Sequence, residues 1–155
     1  MPSSPYGAAK LAIEAYVAAF CDAYGVRGSS VRLSSLFGPG LRRHVVHDLM
    51  LRLTEDRSAL TVRGDGGQVR DLMYISDCVQ ALVVTATRGS HDGAVYNVAG
   101  GNVISIRELV DAICQVIGVS PTVTLTGQNR HGAPDRWLVG GSRLRSLGYR
   151  PRVTL

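Results

Sequence analysis

Tyr6 and Lys10 are the two residues of this 155-residue sequence whose types and spacing point most directly to chemistry. Residues four apart on a helix project from the same face, so the phenol and the ammonium would lie within reach of each other. A nearby ammonium favours the ionised phenol, which can then act as a general base toward an alcohol. By spacing alone, however, a helical tyrosine beside a solvated lysine is the simpler interpretation.

Lys10 is also unusual in the composition, because it is the single lysine among 17 Lys and Arg residues. An amine is a compact charge whose chemistry a guanidinium fork does not readily replace. A sequence that uses arginine everywhere else therefore indicates that this position needs an amine. The alternative is that one lysine is left over by chance in an arginine-biased chain.

The composition excludes several classes of protein. With 45% hydrophobic and 19% charged residues, the sequence fits about one globular domain. It has no apolar run of the ~18 residues that a membrane span needs, and residues 1–5 have no signal-peptide features, so we expect a cytoplasmic protein without a membrane partner. Cys21, Cys78 and Cys114 are far apart and are predicted to be reduced thiols.

The positive charge is not organised for nucleic acid. The net charge is +5, but the arginines are dispersed and no basic stripe alternates with aromatic residues. We therefore expect a solvated surface with a few anion-binding positions and no nucleic-acid partner. His44 and His47 could share a helix face, but no third ligand has a suitable spacing, so no metal site is predicted.

Hydrophobic periodicity predicts a mixed α/β chain. The Asp65-Gly66 pair favours a tight hairpin between two of the strands. Ser105 and Glu108 form a capping box that begins a helix. Helices are predicted at residues 5–24, 44–55, from a cap at Ser76 to 88, 105–118 and near 142, and strands at 29–33, 59–63, 69–75, 95–98 and 123–125.

Five segments, in order, resemble blocks of one family. Residues 4–10 (Ser-Pro-Tyr-Gly-Ala-Ala-Lys) resemble the active-site helix of the extended short-chain dehydrogenase/reductases, and residues 32–40 resemble their Arg-x-x-Asn-x-Tyr-Gly-Pro-Gly segment. Residues 64–77, 96–101 and 147–151 are similar to later blocks. The resemblance implies an NAD-dependent epimerase or dehydratase that acts on a nucleoside-diphosphate sugar.

The resemblance also implies roles for individual residues. Tyr6 would be the catalytic base and Lys10 its partner, and both would contact NAD, as would Leu36. Arg70 would grip the diphosphate, a role that a planar, permanently charged fork suits. The remaining implied contacts to the sugar nucleotide are Asn97, Ser35 (where the family has asparagine), Arg130 and Arg136.

A dinucleotide site needs a strand, a glycine-rich turn and a helix in succession. Gly38-x-Gly40 is interrupted by proline and lacks a third glycine, and Gly64-x-Gly66 is predicted to lie in a hairpin. Residues 1–155 are therefore expected to be the carboxyl-terminal half of an epimerase/dehydratase domain. The predicted fold is a partial Rossmann-like parallel sheet plus a small α/β substrate-binding lobe.

Three functional alternatives follow. The chain could be an enzyme half that works with a complementing amino-terminal half, a non-catalytic module that binds a sugar nucleotide or dimerises, or an inactive truncated remnant. A homodimer is expected through the first helix, with Tyr6 and Lys10 facing away from the contact. The residues predicted at that contact are Ile13, Tyr16, Val17 and Phe20.

Overall fold

The computed structural model describes residues 2, 4–128 and 135–155 and confirms the mixed α/β class. Its described helices are α1 (Pro5–Tyr24), α2 (His44–Glu55), α3 (Ile75–Arg88), α4 (Ile106–Ile117) and α5 (Ser142–Ser146). The described strands are β1 (Gly28–Leu33), β2 (Ser35–Phe37), β3 (Ala59–Val62), β4 (Val69–Tyr74), β5 (Asp92–Val98), β6 (Asn102–Ser105), β7 (Thr122–Leu125) and β8 (Arg136–Trp137).

The bounds of α1 follow from its caps. The Ser4 hydroxyl accepts a hydrogen bond from the Gly7 amide at 3.1 Å, and Pro5 occupies the first turn, where its missing N–H costs nothing. Gly25 ends the helix with a φ of 66°, and its amide donates to the Cys21 carbonyl. The predicted helix at residues 5–24 is confirmed.

β1 and β5 form a parallel two-stranded sheet, with α1 on one face and α3 and α5 on the other. α1 covers the face of Arg32, which bonds to Glu14, whereas Val31 points to the other face and packs with a cluster that includes Cys78 and Ala81 of α3. In the described part of the chain, β1 pairs with β5 alone. This is the incomplete parallel sheet that the sequence predicts.

The predicted hairpin between β3 and β4 is wrong. β3 pairs in parallel with β7, while β4 pairs in parallel with β2 and β8 and antiparallel with β6. The backbone of the intervening glycines is bonded elsewhere: the Gly64 carbonyl accepts from the Gly127 amide, and the Gly66 carbonyl accepts from Arg107. The glycine-rich segment therefore turns the chain toward β7 and α4 and separates the two strands.

Other element boundaries differ less. α3 begins at Ile75 with Tyr74 as its cap, so Ser76 is not the cap. β2 and β6 are short strands that were not predicted, and β5 begins at Asp92, three residues earlier than expected. The capping box of Ser105 and Glu108 is present, with both reciprocal bonds formed.

The buried residues form two clusters. One lies between α2, α4 and the strands β3 and β4, and its largest members include Leu53, Leu72 and Leu109. The other lies between α3, α5 and β5, around Tyr96 and Tyr149. α1 contributes no buried residue to either cluster, although most of its residues are apolar.

Candidate functional site

Tyr6 and Lys10 lie on the first two turns of α1. Side chains of a helix lean toward its amino terminus, so Lys10 reaches back over Tyr6. Its Nζ lies 5.5 Å from the centre of the Tyr6 ring. Both side chains are exposed, Tyr6 to 73%, which leaves the phenol hydroxyl accessible to a ligand.

Two contacts fix α1 against the sheet. The Arg32 guanidinium on β1 donates to both carboxylate oxygens of Glu14, at 2.7 Å from Nε and 2.5 Å from Nη2. These hydrogen bonds lower the pKa of Glu14, and burial opposes them only in part. Farther along, Gly93 of β5 lies against the backbone of Ala18. The helix that carries Tyr6 and Lys10 is therefore attached to both strands of the sheet.

Ser35 and Leu36 lie on β2, beside the buried centre of β4. Their register partners are Leu72 and Met73, which are fully buried. Leu36 is half-buried and packs against the cluster around Tyr96 and Tyr149. Its side chain therefore belongs mainly to the core, and a contact to a cofactor would involve only its remaining exposed part.

Arg70 is half-buried on β4. Its Nη1 donates to the Val69 carbonyl at 2.8 Å and to the Asp135 carbonyl at 3.4 Å. Burial lowers the pKa of Arg70, and the charge of Asp135 raises it. An arginine remains protonated at neutral pH despite such a shift, so the Arg70 guanidinium carries a positive charge that can attract an anionic ligand.

The other predicted substrate residues divide between two sheets. Arg136 of β8 is exposed and lies opposite Val69, next to Arg70. Asn97 lies on β5 in the first sheet, opposite Arg32, and is half-buried. The structure thus groups Ser35, Arg70 and Arg136 on one sheet and places Asn97 with the Tyr6 helix. Arg130 lies outside the described residues.

The predicted contact residues of α1 line an open groove with a volume of about 380 Å³. Its lining comprises Ile13, Tyr16, Val17, Phe20, Cys21, Val26, Gly28 and Ser29. The groove includes residues of β1 but none of β5. One expectation needs correction, since Ile13 follows Tyr6 by seven residues and Phe20 follows by seven more. In a regular helix this spacing puts all three on one side, so Tyr6 does not face away from the groove.

Three structurally important acidic residues were not singled out from the sequence. Glu14 is one, and its position four residues after Lys10 was the available signal. Buried Asp71 accepts a hydrogen bond from the Gly101 amide at 2.9 Å, and burial raises its pKa. Buried Asp77 accepts from the amides of Arg152 and Val153 and so holds the carboxyl-terminal segment. Nothing in the local sequence marks the last two, because their partners are distant.

Neither metal ligands nor membrane spans are predicted from the sequence. The described residues contain no group of three or more His, Cys, Asp and Glu side chains arranged to hold a metal ion. Within the same part of the chain, no helix combines the length and apolar character needed to cross a membrane.

The available residues fit one end of a dinucleotide. The exposed hydroxyl of Tyr6 and ammonium of Lys10 can donate hydrogen bonds to a ribose. The two glycine pairs do not form a phosphate-binding turn: α2 begins only at His44, after Gly40 and three further residues, and Gly66 bonds to Arg107. Among the described residues, the fit to a dinucleotide is therefore limited to the hydroxyls of a ribose.

A parallel sheet with helices on both faces is the layered arrangement of a Rossmann-like α/β protein, and the first of those helices carries the Tyr-x-x-x-Lys pair. Comparison with known families refines this class. The chain belongs to the NAD dependent epimerase/dehydratase family, whose model matches residues 1–99.

Several known proteins are similar over nearly the whole chain. A dTDP-glucose 4,6-dehydratase of Streptomyces griseus is 30% identical over 99% of this chain and 47% of its own length. A GDP-L-fucose synthase of Sinorhizobium fredii is 31% identical over 97% of the chain and 50% of its own length. The chain thus spans about half the length of the curated relatives it matches.

Solved structures agree in fold. A dTDP-glucose 4,6-dehydratase from Streptomyces venezuelae, crystallised with NAD, superposes with a TM-score of 0.87 at 25% identity, over 100% of this chain and 48% of that one. A UDP-glucose 4-epimerase of Thermus thermophilus in complex with NAD superposes with a TM-score of 0.85 at 27% identity. The match covers 100% of this chain and 51% of that one. These structures confirm the Rossmann-like fold, and NAD is the cofactor expected in this family.

Proposed function

We propose that residues 1–155 are the carboxyl-terminal half of an NAD-dependent nucleotide-sugar epimerase/dehydratase domain. In this proposal the chain supplies the Tyr6–Lys10 pair and most of the contacts that bind the substrate. A cofactor-binding segment outside these residues supplies the phosphate-binding turn, whether it is joined to the chain or separate. The observation that carries the proposal is the approach of Lys10 to Tyr6 on an exposed helix of a chain that belongs to this family.

The chemistry proposed for the pair is a proton transfer. Tyr6 takes the proton of a sugar hydroxyl, and the neighbouring Lys10 ammonium stabilises the phenolate that receives it. Lys10 also donates to the ribose of the cofactor. When bound, NAD supplies the acceptor for the hydride that leaves the same sugar carbon.

The proposed substrate is a nucleoside-diphosphate sugar. Arg70 offers a guanidinium that is half-buried, which strengthens its hydrogen bonds to a diphosphate. Arg136 on the adjacent strand adds a second positive charge beside it. Ser35 and Asn97 offer neutral polar groups, and Arg130 is assigned to the nucleotide from its place in the motif.

A second candidate function is that of a non-catalytic module that binds a sugar nucleotide or dimerises. The observation in its favour is that α1, an apolar helix of 20 residues, has no buried residue. A helix that is apolar on more than one side is normally covered on those sides. In an inactive remnant, neither ligand binding nor a discrete partner contact would be retained.

A chimera tests the first candidate against the other two. The amino-terminal part of the Streptomyces griseus dTDP-glucose 4,6-dehydratase would be fused to residues 1–155 in place of the matching segment. NAD retention and turnover of dTDP-glucose or UDP-glucose would then be measured. We expect turnover that Tyr6→Phe reduces by at least a hundredfold, because general-base catalysis contributes roughly 10²–10⁴-fold. A chimera that retains NAD and binds the nucleotide sugar but shows no turnover would favour the non-catalytic module.

A further inference from the structure

Lys10 has two neighbours at helical spacing, Tyr6 four residues before it and Glu14 four residues after it. Both lie within the reach of a lysine side chain on one helix. An ionised carboxylate attracts an ammonium more strongly than an aromatic ring does, since it carries a full charge. Left free, Glu14 would therefore draw the Lys10 Nζ away from Tyr6.

In the structure, Glu14 is not free. The Arg32 fork occupies both of its carboxylate oxygens, at 2.7 and 2.5 Å. The Glu14 side chain is 15% exposed and that of Arg32 is 50% exposed, so the pair lies at the junction between α1 and β1. Lys10, meanwhile, has its Nζ 5.5 Å from the Tyr6 ring centre. The bidentate geometry matters because a guanidinium bonded to both oxygens compensates the carboxylate charge, which weakens the attraction that remains for the Lys10 ammonium.

We propose that Arg32 is a positioning residue: by holding both carboxylate oxygens of Glu14, it keeps the Lys10 ammonium over Tyr6. The significance of this role for catalysis rests on the proposed function, in which the Tyr6–Lys10 pair is the base. The geometric part does not, since it concerns only where one side chain lies. Arg32 also attaches α1 to β1, which ends at Leu33, one residue before Ser34 and two before the start of β2.

The lone lysine allows a direct measurement. Protein labelled with ¹³C- and ¹⁵N-lysine gives one set of lysine side-chain NMR signals, all from Lys10. Protons over an aromatic ring are shifted upfield, so Tyr6→Leu supplies the reference position without the ring. In the wild-type chain we expect upfield-shifted Lys10 Hε signals and nuclear Overhauser effects to the Tyr6 ring protons.

The test compares four variants. Arg32→Gln should remove at least half of the upfield shift and weaken the Overhauser effects, because the released carboxylate attracts Lys10. Glu14→Gln should keep the wild-type signals, and the double variant Glu14→Gln/Arg32→Gln should recover them, because neither contains a competing carboxylate. Arg27→Gln, which removes one positive charge near the start of β1, is the matched control and should change nothing.

Measurements of the stability of the variants show whether Arg32 positions Lys10 or only stabilises the fold. Thermal unfolding should show the double variant to be no more stable than Arg32→Gln, so recovery of its lysine signals would not come from a repaired fold. Wild-type signals in a folded Arg32→Gln, or no recovery in a folded double variant, would overturn the proposal. If Arg32→Gln loses its far-ultraviolet circular dichroism, Arg32→Met provides the same comparison while retaining an apolar stem. Wild-type signals equal to those of Tyr6→Leu would instead contradict the Tyr6–Lys10 pair, and with it the proposed function.

Discussion

Gly93 of β5 lies so close to Ala18 of α1 that a Cβ built on the glycine would be 2.6 Å from the Ala18 Cα. The glycine has a φ of 86°, a conformation that L side chains rarely adopt. This contact sets the distance between the sheet and the helix that carries Tyr6 and Lys10.

Gly93→Ala should therefore destabilise the fold through both strain and overlap. Overpacking typically costs about 1–3 kcal/mol and a left-handed backbone roughly 1–2 kcal/mol more, so we expect the free energy of unfolding to fall by about 2–5 kcal/mol. Gly25→Ala is the matched control, because Gly25 also has a positive φ but has no atom within 4 Å of an added Cβ. Urea unfolding should give a loss of only about 1–2 kcal/mol for Gly25→Ala, the backbone cost alone. Equal losses in the two variants would contradict the close contact.

The Glu14–Arg32 pair predicts a specific pH dependence. Hydrogen bonds from Arg32 lower the pKa of Glu14 below its ordinary value of 4.5. A lowered pKa in the folded state stabilises the fold above the unfolded-state pKa, and this contribution disappears as the pH falls through the folded-state pKa. Between pH 7 and pH 3, Glu14→Gln should lose less stability than the wild type. At pH 7 the free energy of unfolding of Glu14→Gln should be lower than that of the wild type by no more than about 1 kcal/mol. The Arg32 side chain is half exposed, and solvent screens its interaction with Glu14. Arg32→Gln should reduce the dependence of stability on pH in the same way. If stability falls equally between pH 7 and pH 3 in all three proteins, the Glu14–Arg32 pair does not cause the pH dependence.

Arg70→Ala should weaken the binding of nucleotide sugars. A charge-assisted hydrogen bond contributes about 1.5–3 kcal/mol, which corresponds to a loss of affinity of tenfold or more. Calorimetry with UDP- and dTDP-sugars measures this directly. Arg27→Ala removes the same charge from an exposed site between α1 and β1 and should bind like the wild type. Equal affinity for the wild type and Arg70→Ala would remove Arg70 from the site.

The exposed groove on α1 predicts self-association. Phe20 is 51% exposed within it, and burial of apolar surface contributes about 25 cal/mol per Å². We expect a discrete dimer or a larger species by light scattering, and Phe20→Glu should dissociate a dimer. Val116→Glu, at an 84% exposed apolar position on α4, is the control and should not. A monodisperse wild-type monomer at high concentration would exclude the contact, and association unaffected by Phe20→Glu would place it elsewhere.

Residues 1–155 alone should show no turnover and no tight binding of NAD. Positioning of the reactants supplies roughly 7–11 kcal/mol of barrier reduction. In the proposed function, the segment that holds the phosphates of the cofactor lies outside residues 1–155. Fluorescence titration with NADH and an epimerase assay with added NAD check this. Robust activity would reveal a dinucleotide site built from residues other than Tyr6 and Lys10.

Local features of this protein were predictable because their causes lie within a few residues of one another. Ser4, Pro5 and Gly25 determine both ends of α1, and the four-residue spacing of Tyr6 and Lys10 places them on one face. The helix at residues 44–55 and the Ser105–Glu108 capping box were predicted for the same reason.

The tertiary structure decided which distant segments pair. Asp65-Gly66 favours a turn, but a turn does not determine whether β3 pairs with β4 or with β7. β7 begins about 60 residues after the end of β3. Backbone hydrogen bonds are similar for every partner strand, so burial of the side chains selects among them. Packing between distant segments also produces the Glu14–Arg32 pair, the Ala18–Gly93 contact and the burial of Asp71. The sequence thus determined the family and the helix that carries Tyr6 and Lys10, whereas long-range packing decided what holds that helix in place.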